Sequence, residues 1–282
     1  MTERSSPHWD DAEQRVRPVE LRTDIPHSAR VYDYFLGGKT NYPADREAAE
    51  LVLKAGPNTR ISALANRAFL HRVVRHLAGT VGIRQFLDIG TGIPTSPNLH
   101  EIAQGVVPDA RVVYADHDPI VLAHARALLV GKPEGRTAYI DADLRDPDRI
   151  LGSPTLGKTL DLTEPVALSV IAILHFIPDA DDPAGLLRHY LDALPAGSHL
   201  AITHVTPDFA PEEAERVTAI YRARGIPLQT RSRAEVRRFF DGLDLVEPGV
   251  QVVHRWRPDP DADGAEATDA QVNVYGGLAR KR

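Results

Sequence analysis

The segment Phe86-Leu87-Asp88-Ile89-Gly90-Thr91-Gly92 constrains this chain more than any other. A short apolar run stopped by two glycines reads as a strand entering a tight turn, because glycine lets the backbone reverse sharply and approach a ligand closely. The run also opens a series in which strands and helices alternate. PNLHEIAQGV reads as a helix, ARVVYADHD as a strand, PIVLAHARALLV as a helix and TAYIDADL as a strand. PVALSVIAILHF follows as a fully apolar strand, then PAGLLRHYLDAL as a helix and SHLAITHV as a strand. Such alternation requires parallel strands joined by crossover helices, hence an α/β fold with a mostly parallel sheet. Ligands of open α/β sheets bind beyond the carboxyl ends of the strands, where the strand order reverses. Asp88, Gly90, Thr91 and Gly92 occupy that place after the first strand.

The flanks read differently. Residues 1–24 are polar, charged and proline-containing, and are expected to form a flexible arm. Residues 25–80 read as a helical cap or lid made of SARVYDYFLGG, ADREAAELVLKAG and ISALANRAFLHRVVRHLAG. Residues 81–282 form the core, so that 25–282 is expected as a single domain. In its last part EEAERVTAIYRARG and SRAEVRRFFDGL are helical, and DLVEPGVQVVHRW is a strand bent at Pro248-Gly249. RPDPDADGAEATDAQ is a loop, and VNVYGGLARK a terminal strand, since Val272, Val274 and Tyr275 suit a sheet better than a frayed end.

Carboxylates recur at the strand ends. A dinucleotide site wants G-x-G-x-x-G with a pyrophosphate on the helix N-terminus. Here Thr95 stands where the third glycine belongs, and Asp88 would place a negative charge beside the phosphates. Asp116 ends the second strand, where an acid can accept both ribose hydroxyls through its two oxygens. The neighbouring Asp118, followed by Pro119, is expected to cap the next helix. Asp143 ends the third strand and suits an adenine amino group, with Asp141 competing on the same face. Each acid alone would be read as structural. Three at successive strand ends point to a nucleoside ligand without phosphate.

These segments resemble the class I S-adenosylmethionine-dependent methyltransferases. SARVYDYFLGGKTNYPADREAAE, QFLDIGTGIPTSPNLHE, VVYADHDPIVLAHARALL, YIDADLRDP and AILHFIPD are similar to a bacterial S-adenosyl methyltransferase family first catalogued as a domain of unknown function. The resemblance runs from about residue 24 to the end. It implies a Rossmann-like class I methyltransferase fold, with a seven-stranded sheet whose last strand is antiparallel. It implies S-adenosyl-L-methionine as cofactor, with Asp88, Gly90, Thr91 and Gly92 in the cofactor loop, Asp116 at the ribose, and His117, Asp143 and Leu144 around the adenine. Ala172 and Ile173 would pass beside the sulfonium, and Tyr34 of the lid would complete the site. Pro94 stands where the wider superfamily often has a third loop glycine.

Other features narrow the chemistry. The sequence has no cysteine, so thiolate nucleophiles and cysteine-ligated metals are excluded, and a cytoplasmic setting is expected. No H-E-x-x-H or comparable metal spacing occurs, nor a G-x-S-x-G elbow. Gly37-Gly38-Lys39-Thr40 lacks the spacing and the preceding strand of a phosphate-binding loop. No run is long and apolar enough for a transmembrane helix. The net charge of −6 argues against general nucleic-acid binding and leaves a small-molecule acceptor as the expected partner. Tyr32, Tyr34, Phe35 and Tyr42 surround the Gly-Gly pair and fit either a lid or a packing helix. His175 could be a general base or a hydrogen-bonded structural residue; no catalytic residue is assigned. Transfer of a methyl group is one reading of this chain. A non-catalytic module that senses S-adenosylmethionine or S-adenosylhomocysteine is the alternative, and an acceptor pocket beside the sulfonium would discriminate them.

Overall fold

The computed structural model describes residues 21–128, 131–258 and 267–282. Most of the expected arm, and the centre of the loop after Arg257, lie outside the described residues. The chain begins with three helices, α1 (Ser28–Phe35), α2 (Pro43–Ala55) and α3 (Thr59–His76). β1 (Gln85–Ile89), α4 (Leu99–Val106), β2 (Arg111–Asp116), α5 (Pro119–Leu128) and β3 (Arg136–Asp141) then alternate as their apolar periodicity requires. Two short helices, α6 (Pro147–Leu151) and α7 (Pro154–Thr159), precede β4 (Ala167–Val170). α8 (Pro183–Asp192), β5 (His199–Val205), α9 (Pro211–Ala223) and α10 (Arg233–Arg238) follow. The chain closes with β6 (Asp244–Leu245), β7 (Gln251–Val252), α11 (Asp269–Val272) and β8 (Val274–Arg280).

The sheet runs β3-β2-β1-β4-β5-β8-β6, with β7 also paired to β8. β1 to β5 are parallel, and β8 is antiparallel to β5 along its whole length, from His199↔Arg280 to Val205↔Val274. The expected antiparallel last strand is therefore β8. Among the described residues the sheet has eight strands rather than seven, because the bent strand around Pro248-Gly249 is divided. β6 and β7 pair with the same edge of β8 on either side of the bend. Proline cannot donate to a ladder, and Gly249 adopts φ +77°.

A second expectation shortens. The apolar run PVALSVIAILHF supplies only four strand residues, after which Ala172 turns to φ +57° and Leu174–Phe176 form a 3₁₀ turn. Hydrophobicity marks burial there, and the backbone leaves the sheet. Likewise TAYIDADL stops at Asp141, so Asp143 sits in the following turn.

β1 is buried at every position, and Phe86, Leu87 and Ile89 are part of a continuous core between the sheet and its helices. α3 is pinned across that core by Arg72, whose guanidinium donates to the carbonyls of Trp256 (2.9 Å) and Val253 (2.6 Å). The Phe69 and Trp256 rings meet edge-on at 5.3 Å. α1, α2, part of α3 and α9 enclose a separate apolar cluster of Val31, Phe35, Val52, Ala63, Tyr221 and Leu228. This second cluster lies over the carboxyl ends of the strands. Asp45, fully buried at the start of α2, ties it down. It accepts from the backbone N–H groups of His27 (2.9 Å) and Tyr42 (2.8 Å) and lies 3.5 Å from Arg30.

Candidate functional site

β1 is flanked by β2 on one side and β4 on the other, so the strand order reverses there and the two following loops part. A cleft of ≈ 650 Å³ opens at this point, within the size range of small-molecule sites. Gly90 and Gly92 form its floor at φ +74° and +68°. A side chain at Gly90 would strike Ile173, since a Cβ there would lie 2.7 Å from Ile173 Cγ1. The glycine is thus required both by its backbone angle and by the packing of Ile173 against the loop.

Asp116 holds the loop in place. Its Oδ2 accepts from the N–H of Gly92 (2.8 Å), and its Oδ1 accepts from the N–H groups of His117 (2.8 Å) and Asp118 (3.0 Å). A carboxylate offers about four acceptor positions, so three are used and about one faces the cleft. Asp118 caps α5 as expected, accepting from Ile120 N–H at 2.9 Å. It also pairs with His27 (3.0 Å) and Arg30 (3.5 Å), which fastens the start of α1 to the end of β2.

Asp88 is buried at the end of β1 and has no ion-pair partner among the described residues. Burial pushes its carboxyl from the ordinary 3.8 up to about 6, against the opposing pull of Ser169 and Arg67. A carboxylate kept out of water without a counter-ion is stabilised by an incoming cation. Asp143 is in a different condition. Its burial is outweighed by Arg145, which donates to both oxygens at 3.0 and 2.6 Å and holds the carboxyl below its usual range. His117 lies 3.9 Å away, half-exposed at the rim. Leu144 lines the same end of the cleft, and its carbonyl accepts from Tyr190 Oη at 2.8 Å. Asp141, the competing acid, is exposed and outside the cleft.

Ala172 and Ile173 form the opposite wall. Ala172 is held in its left-handed conformation by a hydrogen bond from its N–H to Thr203 Oγ1 at 2.8 Å. The structure thus brings Asp88, Gly90, Thr91, Gly92, Asp116, His117, Asp143, Leu144, Ala172 and Ile173 to one cleft. Tyr34 is not among them. Its hydroxyl donates to Glu50 and Arg60 stacks on its ring at 5.0 Å, outside the cleft. One helical turn geometry explains the difference: Tyr32, Asp33 and Leu36 share the face of α1 turned to the cleft, and Tyr34 shares the other.

The Gly37-Gly38 pair has a steric basis. Gly38 is needed for space, because a Cβ there would lie 2.0 Å from Asp33 Oδ1. Asp33 accepts from Thr40 N–H (2.9 Å) and Asn41 Nδ2 (2.8 Å), so Gly-Gly-Lys-Thr-Asn is a loop folded around that carboxylate.

Two residues of α3, Asn66 and Arg67, also reach the cleft, and sequence reasoning passed over them. Their signal was a polar pair inside an otherwise apolar helical stretch. Arg67 donates to the carbonyls of Thr95 and Pro97 (2.7 Å for the latter) and steadies the loop after Gly92. Asn66 is more informative. It lines the cleft and also a second, smaller cavity of ≈ 130 Å³ beneath α1 and α9. Ser28, Tyr32, Ala172 and Phe176 are shared by the two in the same way.

A cleft lined by four carboxylates, Asp33, Asp88, Asp116 and Asp143, with Asp88 desolvated and without an ion-pair partner among the described residues, is ill-suited to a pyrophosphate. It fits a ligand that carries positive charge next to a nucleoside, as S-adenosylmethionine does.

Comparison with known proteins agrees. A sequence profile described as S-adenosyl methyltransferase matches residues 14–282. Among solved structures, a DUF574 family protein from Streptomyces avermitilis is similar at 54% identity and a TM-score of 0.90, over 93% of this chain and 100% of that one. A structure from Thermobifida fusca, described as a candidate methyltransferase, is similar at 40% identity and a TM-score of 0.86, over 95% of this chain and 100% of that one. No curated protein matched. The chain belongs to the S-adenosyl methyltransferase family, whose members depend on S-adenosyl-L-methionine.

Proposed function

We propose that the protein transfers a methyl group from S-adenosyl-L-methionine to a small molecule, with the cofactor in the cleft and the acceptor in the adjoining cavity. The observation that carries this reading is the shared wall. Ser28, Tyr32, Asn66, Ala172 and Phe176 border both spaces, so ligands in the two would meet there. A module that only senses the cofactor has no use for a second cavity at that position.

In this reading the loop Asp88–Gly92 receives the amino acid part of the cofactor, with Asp88 balancing its positive charge. The free acceptor position of Asp116 takes a ribose hydroxyl. Asp143, His117 and Leu144 surround the adenine, and the backbone at Ala172 and Ile173 runs beside the sulfur. The cofactor supplies a methyl group already activated by its sulfonium. The protein therefore has mainly to orient the acceptor and exclude water, and orientation by itself lowers such barriers by ~7–11 kcal/mol in favourable cases. α1, fastened through His27 and Arg30 to Asp118, acts as the lid, with Tyr32 rather than Tyr34 turned inward. Residues 25–80 serve as its cap on a single catalytic domain, and the cysteine-free sequence suits a cytoplasmic setting.

Calorimetry with S-adenosylmethionine, S-adenosylhomocysteine and NAD tests the cofactor half. The two adenosyl compounds should bind and NAD should not. Tight NAD binding with no response to the adenosyl compounds would overturn the reading.

A further inference from the structure

The second cavity is selective by its lining. It is bounded chiefly by apolar groups, among them Phe35, Val52, Phe176, Val217 and Tyr221. Its volume of ≈ 130 Å³ is close to that of cavities which hold a single six-membered ring. Among the described residues, no lysine or arginine lines it. Its polar lining combines the hydroxyls of Ser28, Thr59, Ser62, Thr203, Thr206 and Thr230 with side-chain acceptors that lack a donor.

Asn66 is the clearest of these. The Tyr32 hydroxyl donates to the carbonyl of Ala63 (3.1 Å), so it can only accept from Asn66 Nδ2 (2.8 Å). That fixes the amide orientation and leaves Oδ1 buried without a partner, in a side chain that is 4% exposed. His175 is buried with Nδ1 unpartnered, and Asn273 Oδ1 is likewise unpartnered. Both line the cavity, as does Glu213, whose half-buried side chain has no hydrogen-bond or ion-pair partner among the described residues. Buried acceptors of this kind are costly unless a donor meets them. A ligand carrying N–H groups would meet them, and a carboxylate or phosphate would be repelled.

We propose that the methyl acceptor is a compact, uncharged ring amine, without carboxylate or phosphate, whose N–H is held by Asn66 Oδ1 at the wall shared with the cofactor cleft. This rests on the methyltransferase reading of that cleft. The choice of nitrogen follows from the shared wall: Ser28, Tyr32, Asn66, Ala172 and Phe176 include no carboxylate or imidazole to take a proton from a hydroxyl, and Glu213 and His175 line the cavity but not the cleft. Burial drives His175 well below the ordinary histidine range, with His204 and Arg231 adding to the effect, so it is a poor base for a hydroxyl. An amine needs no prior deprotonation. Its lone pair forms the new N–C bond as the methyl–sulfur bond breaks with its electron pair kept by sulfur. The nitrogen, now cationic, releases its proton to water as the product leaves.

The test uses the full chain loaded with S-adenosylhomocysteine, and aniline, phenol and benzoate as probes. In calorimetry, aniline should bind at least about tenfold more tightly than benzoate. With S-adenosylmethionine, mass spectrometry should detect N-methylaniline. Asn66→Leu should lower aniline affinity about tenfold or more while the cavity keeps its apolar volume. Ala214→Leu, on a wall of the cavity remote from the cleft, should abolish aniline binding and leave S-adenosylhomocysteine affinity unchanged. Equal or tighter binding of benzoate would overturn the proposal, as would preferred methylation of phenol, or aniline binding indifferent to both variants. Loss of S-adenosylhomocysteine binding in the unaltered protein would instead overturn the cofactor reading.

Discussion

Asp88→Asn should make the protein more stable and a poorer binder of its cofactor. The carboxyl is held at about 6 instead of 3.8 by burial at the end of β1. Above pH 6 it is charged in both the folded and unfolded chain, and keeping it charged in the folded one costs about 3 kcal/mol. Asparagine removes the charge and keeps the shape. The raised value already sets the pull of Ser169 and Arg67 against burial, so a net gain of up to about 3 kcal/mol is expected. For a chain of this length that raises Tm by up to ~6–12 °C. The sign with pH is definite. As pH falls through 6 towards 3.8, the native protein takes up a proton before the unfolded chain does, so this group's penalty fades. The Tm advantage of Asp88→Asn should therefore be largest at pH 7–8 and vanish near pH 4. Affinity for S-adenosylhomocysteine should fall about 10–100-fold, the loss of a hydrogen bond to a charged group. Differential scanning calorimetry across pH, paired with titration calorimetry, reads both. A variant that melts lower than the unaltered protein at pH 7.5, or that binds normally, would refute the assignment of Asp88 as an uncompensated cofactor carboxylate.

Asp116→Ala should lose stability as well as binding, since three backbone N–H groups lose their acceptor; we expect about 3 kcal/mol and a Tm lower by ~6–12 °C, and a variant with unchanged Tm would show that the loop is held otherwise. Tyr34→Ala should leave S-adenosylhomocysteine affinity within about twofold, whereas Tyr32→Phe, which strands Asn66 Nδ2, should cost about 1–3 kcal/mol of stability and disturb the acceptor cavity; calorimetry that ranks the two in reverse order would return the lid function to Tyr34. Gly38→Val should destabilise by collision with Asp33, and a Gly38→Val, Asp33→Ala double variant should recover part of the loss in thermal melts. Removing residues 274–282 takes out a strand paired on both sides and should leave no cooperative unfolding transition; a soluble, cooperatively melting truncation would contradict the pairing of β5 with β8.

Much of this was legible in the sequence because it depends on local periodicity and on punctuation by special residues. Alternating apolar patterns separated β1 to β5 from their helices, and the glycines of Asp88-Ile-Gly-Thr-Gly marked the turn where a ligand can approach the backbone. The acids at successive strand ends indicated a nucleoside because parallel strands of similar length bring their carboxyl ends to one line. Even the bent strand at Pro248-Gly249 was readable, since proline interrupts a ladder wherever it falls.

The tertiary structure decided what depends on which atoms meet. Sequence alone could not tell that α1 turns Tyr32 and not Tyr34 to the cleft, because two residues apart on one helix point in nearly opposite directions and either face could be buried. It could not show that Asp33 occupies the space a side chain at Gly38 would need, or that Asp116 spends most of its acceptor capacity on its own backbone. The end of β4 was hidden because an apolar residue is equally suited to a strand and to a buried turn. The second cavity was invisible for the most general reason. Its walls come from α1, α2, α3, α9 and the ends of β4 and β5, and only the packed fold sets an unpaired Asn66 oxygen beside the place where the cofactor would lie.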